Sequence, residues 1–141
     1  GKYLFYAKEN NSYVAWQTIE VSADTAEDLT FQLDTANAGM LTVEVANAKE
    51  NEWVHLSPLT KAGQPPLDFK DPFKLDRLIE AKKVENGRAH FESLAPGRYQ
   101  VHLSRRVGSS EFISHVYYSK QSLKTEILAR KETTTKIEYV D

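Results

Sequence analysis

Short runs in which apolar and polar residues alternate are the most restrictive feature of this sequence. Residues 41–46 read Leu-Thr-Val-Glu-Val-Ala, and residues 133–140 alternate in the same way. A period of two sends successive side chains to opposite faces of a strand, so that one face is buried and the other is solvated. About ten such runs, separated by turn residues, predict an all-β chain that folds as an antiparallel sandwich.

One segment interrupts this pattern. Residues 57–72 carry four of the five prolines, and we expect a loop there because proline removes a donor from the hydrogen-bond ladder. Asp71-Pro72 resembles a helix N-cap followed by proline in the first turn, which predicts one short helix near 72–81. The alternative is a strand that runs up to Asn86-Gly87, a pair typical of tight hairpin turns.

The composition excludes several classes of function. No apolar run reaches the length of about 18 residues that a membrane span needs. The sequence has no cysteine, which removes disulfides, thiol nucleophiles and cysteine-based metal sites. Eighteen basic and 20 acidic residues give a net charge of −2, whereas a nucleic-acid-binding surface needs a basic face. We therefore predict no membrane span in this segment and no nucleic-acid partner.

A partial internal repeat divides the chain in two. The triplet Gly-Lys-Tyr at 1–3 corresponds to Gly-Arg-Tyr at 97–99, and each triplet opens an alternating run. We expect residues 1–34 to be strands from the tail of an upstream repeat, packed on a main sandwich at 35–141. Otherwise their open edges would pair with another chain. The alternative is chance similarity between two β segments.

Residues 91–101 read Phe-Glu-Ser-Leu-Ala-Pro-Gly-Arg-Tyr-Gln-Val. This segment resembles the Phe-x-x-Leu-x-Pro-Gly-x-Tyr-x-Val hairpin of carboxypeptidase-regulatory-like and collagen-adhesin B-type domains, which share the transthyretin (prealbumin-like) sandwich. The Pro-Gly pair would form the tight turn. The apolar positions of the motif would fill the core between the sheets: Phe91, Leu94, Tyr99 and Val101. The family's Gly-x-Val-x-Asp-x-x-Gly-x-Pro segment is matched only loosely, by residues 39–45.

The resemblance covers about residues 35–141 and carries expectations about function. It implies an antiparallel prealbumin-like β-sandwich, with no cofactor and no enzyme activity. Domains of this family are mostly accessory modules of exported, often bacterial, multidomain proteins. They space or stabilise neighbouring domains or mediate protein contacts. The implied location is therefore extracytoplasmic, and the implied partners are neighbouring domains or other proteins.

Two histidines are the candidates for a metal site. In the hairpin interpretation Phe91 pairs with Val101. His90 then faces His102 on the outer face, at a cross-strand spacing of about 5 Å, with Glu92 beside them. Two imidazoles and a carboxylate can bind a divalent metal. We favour the alternative, in which both histidines are solvated side chains on an outward face.

Other chemistries find only part of what they require. The sequence has no Gly-x-Ser-x-Gly elbow for nucleophilic catalysis and no phosphate-binding loop. Isopeptide cross-links, known in adhesin relatives, need a core asparagine late in the chain, and the last strand has none. Intradiol dioxygenases of the same fold hold iron with two tyrosines and two histidines, but the spacing of that family is not reproduced by Tyr117, Tyr118, His102 and His115. The acidic residues available for calcium in the proline-rich segment are irregularly spaced: Asp68, Asp71 and Asp76.

Aromatic side chains are the remaining candidates for a binding site. Trp53 lies on the strand face opposite to Val54 and Leu56. It is therefore either buried under the loop 57–72 or the N-terminal strands, or exposed to solvent. Exposed tryptophan and tyrosine rings stack on sugars and anchor protein partners. The alternative to an accessory module is thus a carbohydrate-binding module whose site contains Trp53, Tyr13, Tyr117 and Tyr118.

Overall fold

The computed structural model describes residues 1–10, 12–24, 28–66, 78–109 and 112–141, with the backbone alone at 109 and 112–114. These residues form nine strands and one short 3-10 helix at Thr35–Asn37. The strands are β1 (Lys2–Glu9), β2 (Tyr13–Glu20), β3 (Gly39–Ala46), β4 (Glu52–Leu59), β5 (Lys82–Lys83), β6 (Arg88–Leu94), β7 (Gly97–Ser109), β8 (Phe112–Ile127) and β9 (Glu132–Glu138). The prediction of an all-β chain is confirmed.

The strands of the described residues form three sheets. One has the order β6–β3–β9, a second has the order β5–β4–β7–β8, and β1 and β2 form a separate hairpin. All neighbours pair in antiparallel fashion except β3 and β9, which are parallel. The predicted antiparallel pairing is therefore confirmed for every described pair except β3 and β9. β9 enters the sheet at the same end as β3 and runs in the same direction, so the two strands form a parallel ladder.

One hydrophobic cluster joins the two larger sheets. Leu41 and Phe91 of the three-stranded sheet and Leu56 and Val101 of the four-stranded sheet are fully buried in it. Full burial of such side chains contributes about 1.5–3 kcal/mol each to folding. The alternation that predicted the strands therefore marks the faces that meet across the core, and the arrangement is sandwich-like.

Residues 91–101 cross from one sheet to the other. The prediction that the apolar positions of this motif fill the core is confirmed, since Phe91, Leu94, Tyr99 and Val101 are each at most 2% exposed. The two halves of the motif belong to different sheets. The first half lies in β6, beside β3, and the second half lies in β7, beside β4.

The predicted hairpin at this motif is wrong because β6 and β7 do not pair. Phe91 lies opposite Leu41 of β3, and Val101 lies opposite Leu56 of β4. The connection between them includes Gly97 at a φ of +149°, a backbone conformation that other residues rarely adopt. Inward-facing apolar residues on both strands are compatible with a crossover as well as with a hairpin. In the crossover each strand contributes to a different one of the two sheets that enclose the core.

The described N-terminal residues form a two-stranded hairpin. β1 pairs with β2 along its whole length. Residues 28–34, which belong to the segment 1–34 that was predicted to consist of strands, have no regular structure. Val14 of β2 is 3% exposed and belongs to the core cluster of the two larger sheets. The hairpin thus shares apolar contacts with the sandwich.

The predicted short helix near 72–81 is not seen. Residues 78–81 are described and are not helical, and the rest of that span lies outside the described residues. Leu78 and Ile79 lie in a bend, and their side chains are buried in the core cluster. The turn at Asn86-Gly87 is formed, with φ values of 53° and 74°. No helix among the described residues is both long and apolar enough to cross a membrane.

Candidate binding site

The structure does not bring together the two histidines considered for a metal site. His90 on β6 lies opposite Thr42 of β3, and its Nδ1 atom is 2.9 Å from Thr42 Oγ1. His102 on β7 lies opposite His55 of β4, and its Nε2 atom is 3.3 Å from Ser57 Oγ. The facing of His90 and His102 required a β6–β7 hairpin, and the two strands belong to different sheets instead.

Other metal sites find no support in the described part of the chain. No group of three or more histidine, aspartate or glutamate side chains lies close enough to hold a metal ion there. The aspartates considered for calcium lie outside the described residues: Asp68, Asp71 and Asp76.

Two serine–histidine pairs lie on the outer face of the four-stranded sheet. His55 Nε2 is 2.7 Å from Ser104 Oγ, and His102 pairs with Ser57 as described above. Ser104 is fully buried and Ser57 is 5% exposed, so a substrate has no open approach to either hydroxyl. The pairs satisfy buried polar groups. The sequence did not reveal them, because they depend on the register between β4 and β7.

Two of the predicted aromatic site residues do not offer open rings. Tyr13 is 5% exposed, and its hydroxyl donates a hydrogen bond to the Asp34 carbonyl oxygen at 3.0 Å. Burial raises the pKa of this hydroxyl, and the nearby carboxylates of Asp34 and Glu9 add to the effect. Trp53 is half-buried, and the guanidinium carbon of Arg106 lies 3.8 Å from the centre of its ring. One face of Trp53 is thus occupied by a cation–π contact.

Exposed apolar side chains collect where β7 and β8 leave the sandwich. β4 accompanies β7 no further than Arg105, whereas the pairing of β7 with β8 continues to Ser109 and Phe112. We call the two-stranded part beyond this point, together with the Arg105–Tyr117 pair at which it begins, the ribbon. Among the described side chains of the ribbon and its base, the large apolar ones that are more than a third exposed are Val107, Val116, Tyr117 and Tyr118.

A groove of about 450 Å³ opens at the base of the ribbon. Arg105 lies directly opposite Tyr117, and its guanidinium carbon is 3.9 Å from the centre of the Tyr139 ring. Arg105 Nη1 is also 3.8 Å from Asp141 Oδ1. The groove therefore combines aromatic rings with side chains of both charges, and its lining consists of Arg105, Val107, Tyr117, Tyr118, Lys120, Tyr139 and Asp141.

A bulge in β8 brings Tyr139 to this groove. β8 has three residues, 119–121, where β7 has one. Ser119 Oγ accepts a hydrogen bond from the Val140 amide at 2.8 Å, and the Lys120 amide donates to the Val140 carbonyl oxygen at 2.8 Å. The extra residues thus hold the segment after β9 against the ribbon, in keeping with the tendency of bulges to redirect a strand and its side chains.

The buried carboxylate of Glu52 contacts the Arg105 guanidinium. Arg105 Nη2 is 3.8 Å from Glu52 Oε1, and Glu52 is 1% exposed. Glu52 Oε1 also accepts a hydrogen bond from the Lys49 amide. Burial raises the pKa of Tyr139, an effect that the guanidinium partly offsets, so the tyrosine hydroxyl remains protonated at neutral pH. The Arg105 guanidinium thus lies between the Glu52 carboxylate and the Tyr139 ring.

Comparisons with protein-family models, with curated proteins and with solved structures find no match to this chain. The interpretation of the site therefore depends on its own residues. Of the six residues predicted from the sequence, Tyr117 and Tyr118 line the groove. The other four lie elsewhere in the structure: Trp53, Tyr13, His90 and His102. Arg105 and Tyr139 were missed, because their places beside Tyr117 depend on the register between β7 and β8 and on the β8 bulge.

Proposed function

We propose that this chain is a non-catalytic accessory module that mediates protein contacts through the ribbon, and that it spaces or stabilises neighbouring domains of an exported multidomain protein. The observation that carries this proposal is the set of exposed apolar side chains on the ribbon, with Val107 and Tyr117 on one face and Val116 and Tyr118 on the other. Clusters of exposed apolar side chains mark interaction sites, and tyrosine is among the residues that most often anchor a partner.

Two further observations support a contact role. The serine hydroxyls that pair with histidine are buried, so neither hydroxyl is open to a substrate. The core draws on both larger sheets and on the N-terminal hairpin, which gives the ribbon a rigid base. The resemblance at residues 91–101 to accessory sandwich domains points in the same direction.

Site-specific photo-crosslinking tests this proposal. A photo-crosslinking amino acid is placed at Val116 on the ribbon or, as a control, at the exposed Glu126 near the far end of β8. In the cells that produce the full protein, we expect Val116 to give a discrete adduct with one protein, identified by mass spectrometry, and Glu126 to give none. Equal labelling from both positions, or no adduct from Val116, would contradict the proposal.

Carbohydrate binding is a second candidate function, and the groove favours it. Tyr117 is 51% exposed beside a fixed arginine and an exposed aspartate. Sugar sites commonly combine a ring that stacks on the apolar face of the sugar with polar groups that bind its hydroxyls. We assign this candidate to the groove rather than to Trp53, because the Arg106 guanidinium lies over one face of that ring.

A further inference from the structure

We propose that the groove at the base of the ribbon binds an uncharged sugar unit, with Tyr117 as the stacking ring and the Arg105–Asp141 pair as the polar clamp. The inference rests on the second candidate function, carbohydrate binding. It adds the ligand class and the residues that would recognise it.

The aromatic part of the groove is accessible. Tyr117 is 51% exposed, and its contact with the His115 ring is tilted, at 46° and 5.9 Å between ring centres. A tilted neighbour does not lie flat on the face of Tyr117. The groove volume of about 450 Å³ falls in the lower part of the range of about 300–1,000 Å³ that is typical of small-molecule sites, which suits one or two sugar rings.

The charges at the rim favour an uncharged ligand. Arg105 and Lys120 are cationic, whereas Asp141 is anionic and 92% exposed. A ligand of either net charge would therefore meet a like charge. A sugar hydroxyl can both donate to a carboxylate and accept from a guanidinium or ammonium group, so a neutral polyhydroxylated ring satisfies both sides.

The cationic half of the clamp is held in place before a ligand binds. The Arg105 guanidinium stacks on Tyr139 at 3.9 Å and contacts the buried Glu52 at 3.8 Å. A side chain that is already ordered loses less conformational freedom on binding, which raises affinity without any additional contact. Arg105 is thus a suitable fixed donor for ligand hydroxyls.

Affinity electrophoresis in gels that contain a single polysaccharide tests the proposal. The probes are neutral polysaccharides (cellulose derivatives, xylan, mannan, mixed-linkage glucan and starch) and, for comparison, acidic ones (polygalacturonate and heparin). We expect at least one neutral polysaccharide to retard the chain and the acidic ones to have no stronger effect. Tyr117→Ala should weaken the retardation about tenfold, Tyr117→Phe should preserve it, and Asp141→Asn should reduce it.

Matched controls make the outcome decisive. Tyr3→Ala removes an equally exposed ring on β1 and should leave retardation unchanged, while circular dichroism confirms that each variant is folded. Absence of retardation by every neutral polysaccharide would overturn the inference, as would a preference for the acidic ones. Retardation that survives Tyr117→Ala but is lost in Trp53→Ala would retain carbohydrate binding and still overturn this site. None of these outcomes bears on the photo-crosslinking test of the protein-contact role.

Discussion

The Tyr99 hydroxyl donates a hydrogen bond to the Ala95 carbonyl oxygen at 2.5 Å, across the segment where the chain passes from one sheet to the other. The residue is 2% exposed, so its hydroxyl needs a partner within the protein. Burial raises the pKa of Tyr99, with a smaller contribution from Tyr13, and the hydroxyl therefore remains a donor at neutral pH. One side chain thus contributes both apolar area to the core and a tether to the crossover.

Replacing Tyr99 by phenylalanine isolates the tether, because the ring is kept and only the donor is lost. We expect Tyr99→Phe to lower the free energy of unfolding by about 1 kcal/mol, the usual net value of such a bond. Urea denaturation should show a lower midpoint with an unchanged m-value. Tyr3→Phe, at a position that is 54% exposed, is the matched control and should leave the midpoint unchanged. Equal midpoints for both variants and the wild type would show that the hydroxyl does not secure the crossover.

At the scale of elements, the start of β3 packs directly against the end of β8. A Cβ atom on Gly39 would clash with Ile127 Cγ2 and lie 2.5 Å from the Leu128 carbonyl oxygen. Next to this point the Met40 amide donates to the Lys131 carbonyl oxygen at 2.9 Å, which links β3 to the approach of β9. Glycine is therefore required here for the close approach of two strands from different sheets.

Gly39→Ala should separate these two elements. The φ angle of Gly39 is not positive, so alanine can adopt the backbone conformation and the cost is steric. We expect a loss of about 1–3 kcal/mol in the free energy of unfolding, as for overpacked cores, measured by urea or thermal denaturation. Gly1→Ala, whose added carbon would meet only the Tyr3 ring at 3.9 Å, should have no effect. Unchanged stability in Gly39→Ala would mean that the end of β8 can move away at little cost.

Alternation predicted strands such as β3 and β9, but it did not predict which strands pair with each other. A period of two specifies which side chains face the core, and it leaves open which strand lies alongside. The inward residues Phe91 and Val101 fit a hairpin and a crossover equally well, and only the crossover is formed. The groove was hidden for the same reason, since the contact of Arg105 with Tyr139 depends on pairing between distant strands and on a bulge.

At the scale of the whole molecule, the N-terminal hairpin and the sandwich share one core. Val14 of β2 is 3% exposed within the cluster, and Leu4 and Trp16 pack against it from the same hairpin. The hydrogen bond from Tyr13 to Asp34 adds a polar link within the N-terminal residues. Burying a valine of this kind contributes about 2 kcal/mol, so the hairpin and the sandwich are expected to stabilise each other.

Single-tryptophan variants measure this coupling directly. Trp53→Phe leaves Trp16 as the reporter for the hairpin, and Trp16→Phe leaves Trp53 as the reporter for the sandwich. If the hairpin and the sandwich unfold as one unit, every probe gives the same midpoint. In each variant, the urea transition measured by tryptophan fluorescence should then coincide with the transition measured by circular dichroism. Val14→Ala in the two backgrounds should then lower both reporters' midpoints together. Two results together would instead establish that the hairpin unfolds independently of the sandwich. The Trp16 transition would precede the loss of the circular dichroism signal, and the Trp53 transition would be insensitive to Val14→Ala.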